Sequence, residues 1–184
     1  LAATLGFASP VNAAANPVWA WGNNSLGQLG YPPTSFSTEP VKVSELTGVV
    51  ASQGGRFHSM VLKSDGTVWT WGSGAYGQIG DGTTTNRPTP GQVSGLNGMV
   101  AIAVGYTYSL ALKSDGTVWA WGDNYNGQLG DGTTTRKLTP VPAGGLTGIT
   151  TITAGYHHSL AVKSDGTVGL GDSTAMVSWA MGLS

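Results

Sequence analysis

The sequence repeats itself with a period of 50 residues. The pentapeptide Ser-Asp-Gly-Thr-Val begins at Ser64, Ser114 and Ser164. The same spacing separates three Trp-x-Trp pairs, which are Trp19/Trp21, Trp69/Trp71 and Trp119/Trp121. A fixed period in this range is typical of repeat proteins, in which each unit buries its apolar surface against the next copy. The period therefore predicts a row of stacked units rather than a chain folded around one central core.

Each unit has the pattern of a small antiparallel sheet. In the copy over 99–146, Asp115-Gly116 separates two apolar runs and predicts a hairpin with a two-residue type I′ turn. Proline at positions 140 and 142 restricts the last segment of the unit to an edge strand or an extended arm. The strand 118–122 is apolar on both faces, with tryptophan on one side and valine and alanine on the other. Radial stacking covers both faces, so we predict an all-β chain of four-stranded antiparallel β-propeller blades.

The composition excludes several classes of function. Charged residues make up 9% of the 184 residues and the net charge is −1, so the chain lacks the positive field that nucleic-acid binding depends on. There is no cysteine, which excludes disulfides and thiolate metal sites. No apolar run reaches the roughly 18–20 residues that a membrane-spanning helix needs. We therefore expect neither a nucleic-acid partner nor a membrane span.

The repeat also divides the chain. Residues 1–15 are apolar, rich in small side chains and outside the repeat, and they predict the remnant of an export signal that ends before Asn16, with an ordinary disordered terminus as the alternative. The repeat domain covers 16–168, with a half repeat over 16–48, full repeats over 49–98 and 99–148, and a half repeat over 149–168. Residues 169–184 form an atypical tail, because glycine stands at 169 and 171 where the period calls for tryptophan. The run 177–182 weakly echoes the missing strand.

The repeated motifs resemble those of the regulator of chromosome condensation repeat family. They are Val-Trp-Ala-Trp-Gly at 118–122, Asn-Gly-Gln-Leu-Gly at 126–130 and Gly-Tyr-His-His-Ser-Leu-Ala at 155–161. The resemblance covers about residues 18–168 and implies an incomplete arc of about three blades from a propeller of the seven-bladed type. The family includes a chromatin-bound exchange factor for a small GTPase, a plant ultraviolet photoreceptor and secreted bacterial proteins. The resemblance implies an interaction scaffold, because the members of the family share no catalytic residue. For this chain it also implies a bacterial protein that is secreted or lies at the cell surface.

The residues with the most reactive side chains favour structural roles. His58, Tyr108 and His158 occur once per blade, so we expect packed positions with one satisfied polar atom rather than a catalytic group. Asp65, Asp115 and Asp165 lie in hairpin turns, where aspartate is favoured for backbone reasons. The Asp-Gly-Thr-Thr-Thr loops at 81–85 and 131–135 lack the acidic pattern of a calcium loop. We predict no catalytic, cofactor-binding or metal-binding residue, no cofactor and no enzymatic activity.

The function that we expect is a non-enzymatic scaffold that binds a protein partner through loops that differ between copies. The candidate contact residues are Asn23, Asn24, Tyr76, Asn124, Tyr125 and Asn126. Two alternatives stay open: an exchange or regulatory activity on a small GTPase, as in the eukaryotic relatives, and a glycan-binding module. An open arc also leaves apolar sheet faces uncovered, which predicts self-association through its ends.

Overall fold

A computed structural model describes residues 17–44 and 46–165, together with the backbone of 168–170. The predicted export remnant and almost all of the tail lie outside the described residues. Within them the chain consists of strands and turns without a helix. The strands are β1 (Trp19–Asn23), β2 (Phe36–Lys42), β3 (Val49–Gly54), β4 (His58–Lys63), β5 (Val68–Gly72), β6 (Arg87–Gln92), β7 (Met99–Val104), β8 (Tyr108–Lys113), β9 (Val118–Gly122), β10 (Lys137–Pro142), β11 (Ile149–Ala154), β12 (Ser159–Lys163) and β13 (Val168–Leu170).

The strands form four antiparallel sheets in chain order, which confirms the predicted arc of propeller blades. Blade I contains β3–β6 and blade II contains β7–β10, each with its strands in sequence order. The N-terminal pair, β1–β2, has the two strands that correspond to the second half of a blade. The C-terminal sheet, β11–β13, has the first three. The proline-bearing strands β6 and β10 lie at sheet edges, as the missing N–H groups require.

The hairpin turns differ from the predicted type. The Lys63 amide donates to the Thr67 carbonyl at 3.0 Å, and the Gly66 amide donates to the Lys63 carbonyl at 2.9 Å. These bonds close a three-residue loop over 64–66 with Gly66 at a φ of 77°. That pattern is a type I turn followed by a left-handed glycine, so the prediction of a two-residue type I′ turn is wrong. Blade II repeats the same loop at 114–116.

The core lies in the junctions between sheets, as expected for stacked repeats. One cluster, which includes Trp71, fills the junction between the N-terminal pair and blade I. A second, which includes Trp121, fills the junction between blades I and II. The third joins blade II to the C-terminal sheet and contains no tryptophan among its buried members. The packing of each blade therefore depends on its neighbours, and the quality of the packing differs from one junction to the next.

Candidate functional site

We call the junction between the N-terminal pair and blade I, and that between blades I and II, the intact junctions. Each is held together by a tryptophan that donates a hydrogen bond to the preceding unit. The Trp71 indole N–H donates to the Gln28 carbonyl, and that of Trp121 to the Gln78 carbonyl, both at 2.9 Å. Ser59 and Ser109 donate their hydroxyl protons to the same two carbonyls. Trp71 and Trp121 are buried, whereas Trp69 and Trp119 are half-buried. The prediction that tryptophans fill the space between blades is thus confirmed at the two intact junctions.

The His58 and Tyr108 side chains form the polar part of the same junctions. His58 Nε2 lies 2.9 Å from the Ser109 hydroxyl of the next blade. The Tyr108 hydroxyl donates to the His158 carbonyl and to the Gly155 carbonyl. Burial lowers the pKa of His58 to about 4, so its imidazole is neutral at physiological pH. These two positions are packed and internally bonded, as the sequence predicts, while His158 in the last sheet is exposed.

Asn24 and Asn124 belong to the loop framework. Both side chains are fully buried. Their Oδ1 atoms accept from the Leu29 and Leu129 amides at 3.0 Å. The Asn124 amide group also donates to Asp131 Oδ1 and to the Thr133 carbonyl. The structure therefore places these two candidate residues inside the protein, and a partner-binding site has to be built from other side chains.

The remaining candidates lie at the surface. Tyr76, Tyr125 and Asn126 are exposed, and Tyr125 is exposed over 81% of its area. Arg136 stacks above Tyr76, with its guanidinium carbon 5.1 Å from the ring centroid. Asn23 is exposed, but its Oδ1 accepts from the Ser25 amide and from the Gln28 side chain, so it also shapes its own loop.

A row of stacked side chains, which the sequence reasoning missed, crosses three successive sheets. We call it the aromatic ladder, and it consists of Arg56, Phe57, Tyr106, Tyr156 and His157. The Arg56 guanidinium carbon lies 4.4 Å from the Phe57 ring centroid and 4.6 Å from that of Tyr106. Tyr106 stacks on Tyr156 with centroids 3.7 Å apart, and His157 meets Tyr156 edge-on. The signal in the sequence is an Arg or Tyr directly after Gly55, Gly105 and Gly155, in phase with the repeat.

The aromatic ladder and the exposed tyrosines lie on the same face of the arc. In an antiparallel meander, the loop after the first strand and the loop after the third strand emerge at the same end of the sheet. Direct bonds link these loops: the Ser73 amide donates to the Phe57 carbonyl at 2.8 Å, and the Asp123 amide to the Thr107 carbonyl at 3.0 Å. We call this end the aromatic face, made of the ladder together with Tyr76 and Tyr125.

In the Asp-Gly-Thr-Thr-Thr loops, hydrogen bonds and ion pairs from neighbouring residues satisfy the aspartate carboxylates. Asp131 Oδ1 accepts from the Thr133 amide at 3.0 Å, and its Oδ2 pairs with Lys137 at 3.1 Å. Burial acts to raise the pKa of Asp131, but hydrogen bonds from Thr133 and Lys137 outweigh burial, so the pKa lies below its usual value. In the described part of the chain, no three His, Cys, Asp or Glu residues come close enough to hold a metal ion. Nor does a helix there reach the length and apolarity that crossing a bilayer requires.

The family comparison agrees with the repeat geometry. A model of the Regulator of chromosome condensation (RCC1) repeat matches residues 17–62, 65–112 and 115–162. A second model of the same repeat matches residues 49–78 and 99–128. No significant match was found among curated proteins.

Solved structures with a similar fold are propellers of greater length. Human WBSCR16 superposes with a TM-score of 0.75 at 26% identity over 83% of this chain and 41% of its own. Prp20p of Saccharomyces cerevisiae gives 0.72 at 21% identity over 79% of this chain and 39% of its own. Yeast RCC1 (Prp20) bound to Kap60 gives 0.72 at 24% identity, with 83% and 38% covered. The chain thus spans about two fifths of the length of these neighbours.

Proposed function

The chain belongs to the Regulator of chromosome condensation (RCC1) repeat family, and we propose that it is a non-enzymatic scaffold that binds a protein partner on its aromatic face. The observation that carries this proposal is the row of aromatic and cationic side chains presented by three successive sheets. Tyr, Trp, Phe and Arg are enriched in the buried centres of protein interfaces and in their hot spots. A rigid array of blades holds such side chains in place before binding, which reduces the entropy lost on association.

The contacts within the ladder favour a protein over a glycan. Sugars bind to free ring faces, but Tyr106 already stacks on Tyr156 and lies against the Arg56 guanidinium. What remains open to a partner are ring edges, phenolic hydroxyls and a guanidinium, together with the highly exposed Tyr125 ring. This set suits a partner surface with carbonyl, carboxylate and aliphatic groups. Asn24 and Asn124 take no part in the proposed site because they are buried.

Site-specific photo-crosslinking in the source organism tests the proposal. A photoreactive phenylalanine analogue replaces Tyr125 or Tyr156 on the aromatic face, and Thr147 on the opposite end serves as the matched control. We expect a discrete protein adduct from positions 125 and 156 and none from 147. With that partner purified, Tyr125→Ala with Tyr156→Ala should weaken binding at least tenfold, about 1.4 kcal/mol, without lowering the melting temperature.

Two results would overturn the assignment to a protein partner. The first is equal crosslinking from both ends of the arc, which indicates nonspecific contact. The second is retention of the chain on a glycan array, abolished by Tyr156→Ala, with no protein adduct from either position. That outcome would favour the glycan-binding alternative.

A regulatory role on a small GTPase is the second candidate. The observation that favours it is the shared fold with Prp20p, a protein studied for its binding to Gsp1p and histones. A nucleotide-release assay with small GTPases of the source organism separates the two candidates. Accelerated release that depends on the aromatic face would support regulation, whereas binding without acceleration would support a scaffold.

Export from a bacterial cell is a further part of the proposal. It is supported by the apolar, small-residue composition of residues 1–15. N-terminal sequencing of the protein recovered outside the cell is expected to start at or near Asn16. Recovery of only uncleaved protein inside the cell would contradict export.

A further inference from the structure

Two arginines cross the junction between blades I and II on the aromatic face, one in each direction. Arg56 leaves the loop between the first and second strands of blade I, and its guanidinium carbon lies 4.6 Å from the Tyr106 ring centroid of blade II. Arg136 leaves the loop between the third and fourth strands of blade II, and its Nη1 donates to the Ala75 carbonyl of blade I at 3.1 Å. Both arginines are exposed. We call them the crossing arginines.

Neither of the crossing arginines forms an ion pair with a described residue. The other two cations at this end of blades I and II each pair with an aspartate, Arg87 with Asp81 at 3.7 Å and Lys137 with Asp131 at 3.1 Å. Asp123, the third aspartate of these loops, accepts hydrogen bonds from two neighbouring side chains. The carboxylates of this end are therefore bound by their neighbours, and the crossing arginines supply the positive charge that is left.

The aromatic rings hold these guanidinium groups in place without using up their hydrogen-bond donors. Arg56 lies over the Phe57 and Tyr106 rings and makes no hydrogen bond with a described residue. Arg136 lies over the Tyr76 ring and uses one N–H for a backbone carbonyl. A guanidinium has five N–H donors in a planar fork, and two of them can bind one carboxylate side by side. Each crossing arginine thus offers a fork that is positioned before a carboxylate arrives.

The distance between the crossing arginines fits an extended peptide. Their loops lie two strand spacings apart along the strand order of a blade, which is on the order of 10 Å. An extended chain covers that distance in about three residues. We propose that the partner on the aromatic face docks an extended acidic segment across this junction, with one carboxylate on Arg56 and a second, about three residues away, on Arg136. This inference rests on the proposed function and adds the chemistry of the partner.

The other charges of this end favour a short acidic segment over a nucleic acid. A phosphate backbone carries one charge at every nucleotide. Such a polyanion would meet Asp81, Asp123 and Asp131 in the same loops, and the net charge of the whole chain is −1. A segment with two carboxylates requires only the two guanidinium groups, so it gains their attraction with little repulsion from the aspartates.

Fluorescence anisotropy with a labelled octaglutamate peptide tests this charge recognition on the full chain. We expect binding at low salt that weakens as salt is added, and no binding of the matched octaglutamine peptide. Arg56→Gln and Arg136→Gln should each weaken binding about fivefold, whereas Arg56→Lys, which keeps the charge and loses the fork, should weaken it less. Lys113→Gln on the opposite end is the matched control and should leave the affinity unchanged. The melting temperature of each variant verifies that it folds.

Three results would overturn the inference. The first is the absence of octaglutamate binding at low salt, and the second is binding that neither arginine substitution weakens. The third is equally tight binding of a single-stranded oligonucleotide with the same dependence on the crossing arginines, which would assign this surface to a nucleic acid.

The photo-crosslinked partner separates a failure of this inference from a failure of the proposed function. If positions 125 and 156 give a protein adduct, Arg56→Gln with Arg136→Gln should weaken binding of that partner at least tenfold. An unchanged affinity would leave the scaffold in place and refute the acidic segment. The absence of any adduct would instead contradict the proposed function itself.

Discussion

At the scale of single residues, His58 combines burial with a defined tautomer. The Ser109 hydroxyl donates to the Gln78 carbonyl at 3.1 Å, so it accepts from His58, and the proton of the neutral imidazole lies on Nε2. His58 Nδ1 is buried and has no hydrogen-bond partner among the described residues. A second proton on this ring would place an unpaired charge between two blades, which explains why burial lowers the pKa of His58 to about 4.

This arrangement predicts a loss of stability in mild acid. The folded pKa of about 4 lies below the ordinary histidine value of 6.5, so between these values the unfolded chain binds more protons, and the free energy of unfolding falls as the pH falls. The full effect is about 3 kcal/mol at about 1.4 kcal/mol per pKa unit. Urea unfolding from pH 7 to pH 4 measures it. His58→Tyr, which introduces the residue found at 108, should remove this component, and His158→Tyr at the exposed equivalent should retain it. An unchanged pH dependence in His58→Tyr would contradict the assignment.

At the scale of elements, the hairpin turns also connect neighbouring blades. The Ile149 amide donates to the Gly116 carbonyl at 3.1 Å, and the Met99 amide makes the same bond to Gly66. Gly116 has a φ of 82°, and a Cβ there would lie 2.9 Å from the Gly148 nitrogen. The turn therefore requires glycine for two reasons. Its backbone is left-handed, and the next sheet approaches too closely to leave room for a side chain.

Paired glycine substitutions separate these two effects. Gly132→Ala places alanine at a φ of 78° with nothing within 4 Å, so it should cost only the left-handed conformation, about 1–2 kcal/mol. Gly116→Ala has a similar φ and adds the clash with Gly148, so its free energy of unfolding should fall further, by about 1 kcal/mol or more. Urea unfolding of both variants measures the difference. Equal losses would show that the turn does not constrain the junction.

The sequence was sufficient to predict the strands but not to predict the contacts between units. The period predicted the blades correctly, and the prolines at 140 and 142 predicted their edges. Both signals can be read from the residues of each unit without knowing how the units pack. The turn type was missed because a left-handed glycine after aspartate fits both loop lengths. The choice depends on bonds such as that from the Ser64 amide to the Gly48 carbonyl, which are remote in sequence.

The candidate site was predicted only in part, for the same physical reason. The loop residues at 24, 74 and 124 differ between copies and therefore resembled a variable surface. The structure shows that Asn24 and Asn124 are internal, whereas in blade I the Gly74 amide bonds instead to the Asn86 side chain. The aromatic ladder was missed because its members are about 50 residues apart and meet only when the sheets stack.

At the scale of the whole molecule, stability is distributed along a row of junctions. Blade I is packed against the N-terminal pair and blade II, and blade II against blade I and the C-terminal sheet. Within the described residues the terminal sheets are smaller, and a two-stranded sheet has little stability of its own. In such a row, unfolding depends on each unit and on its nearest neighbours, so the ends should open before the middle.

Hydrogen exchange measured by mass spectrometry tests this gradient. The amides of β4, β5, β8 and β9 should exchange at least tenfold more slowly than those of β1 and β12, because blades I and II are packed against a neighbouring sheet on both sides. Uniform protection along the chain would contradict the row of junctions.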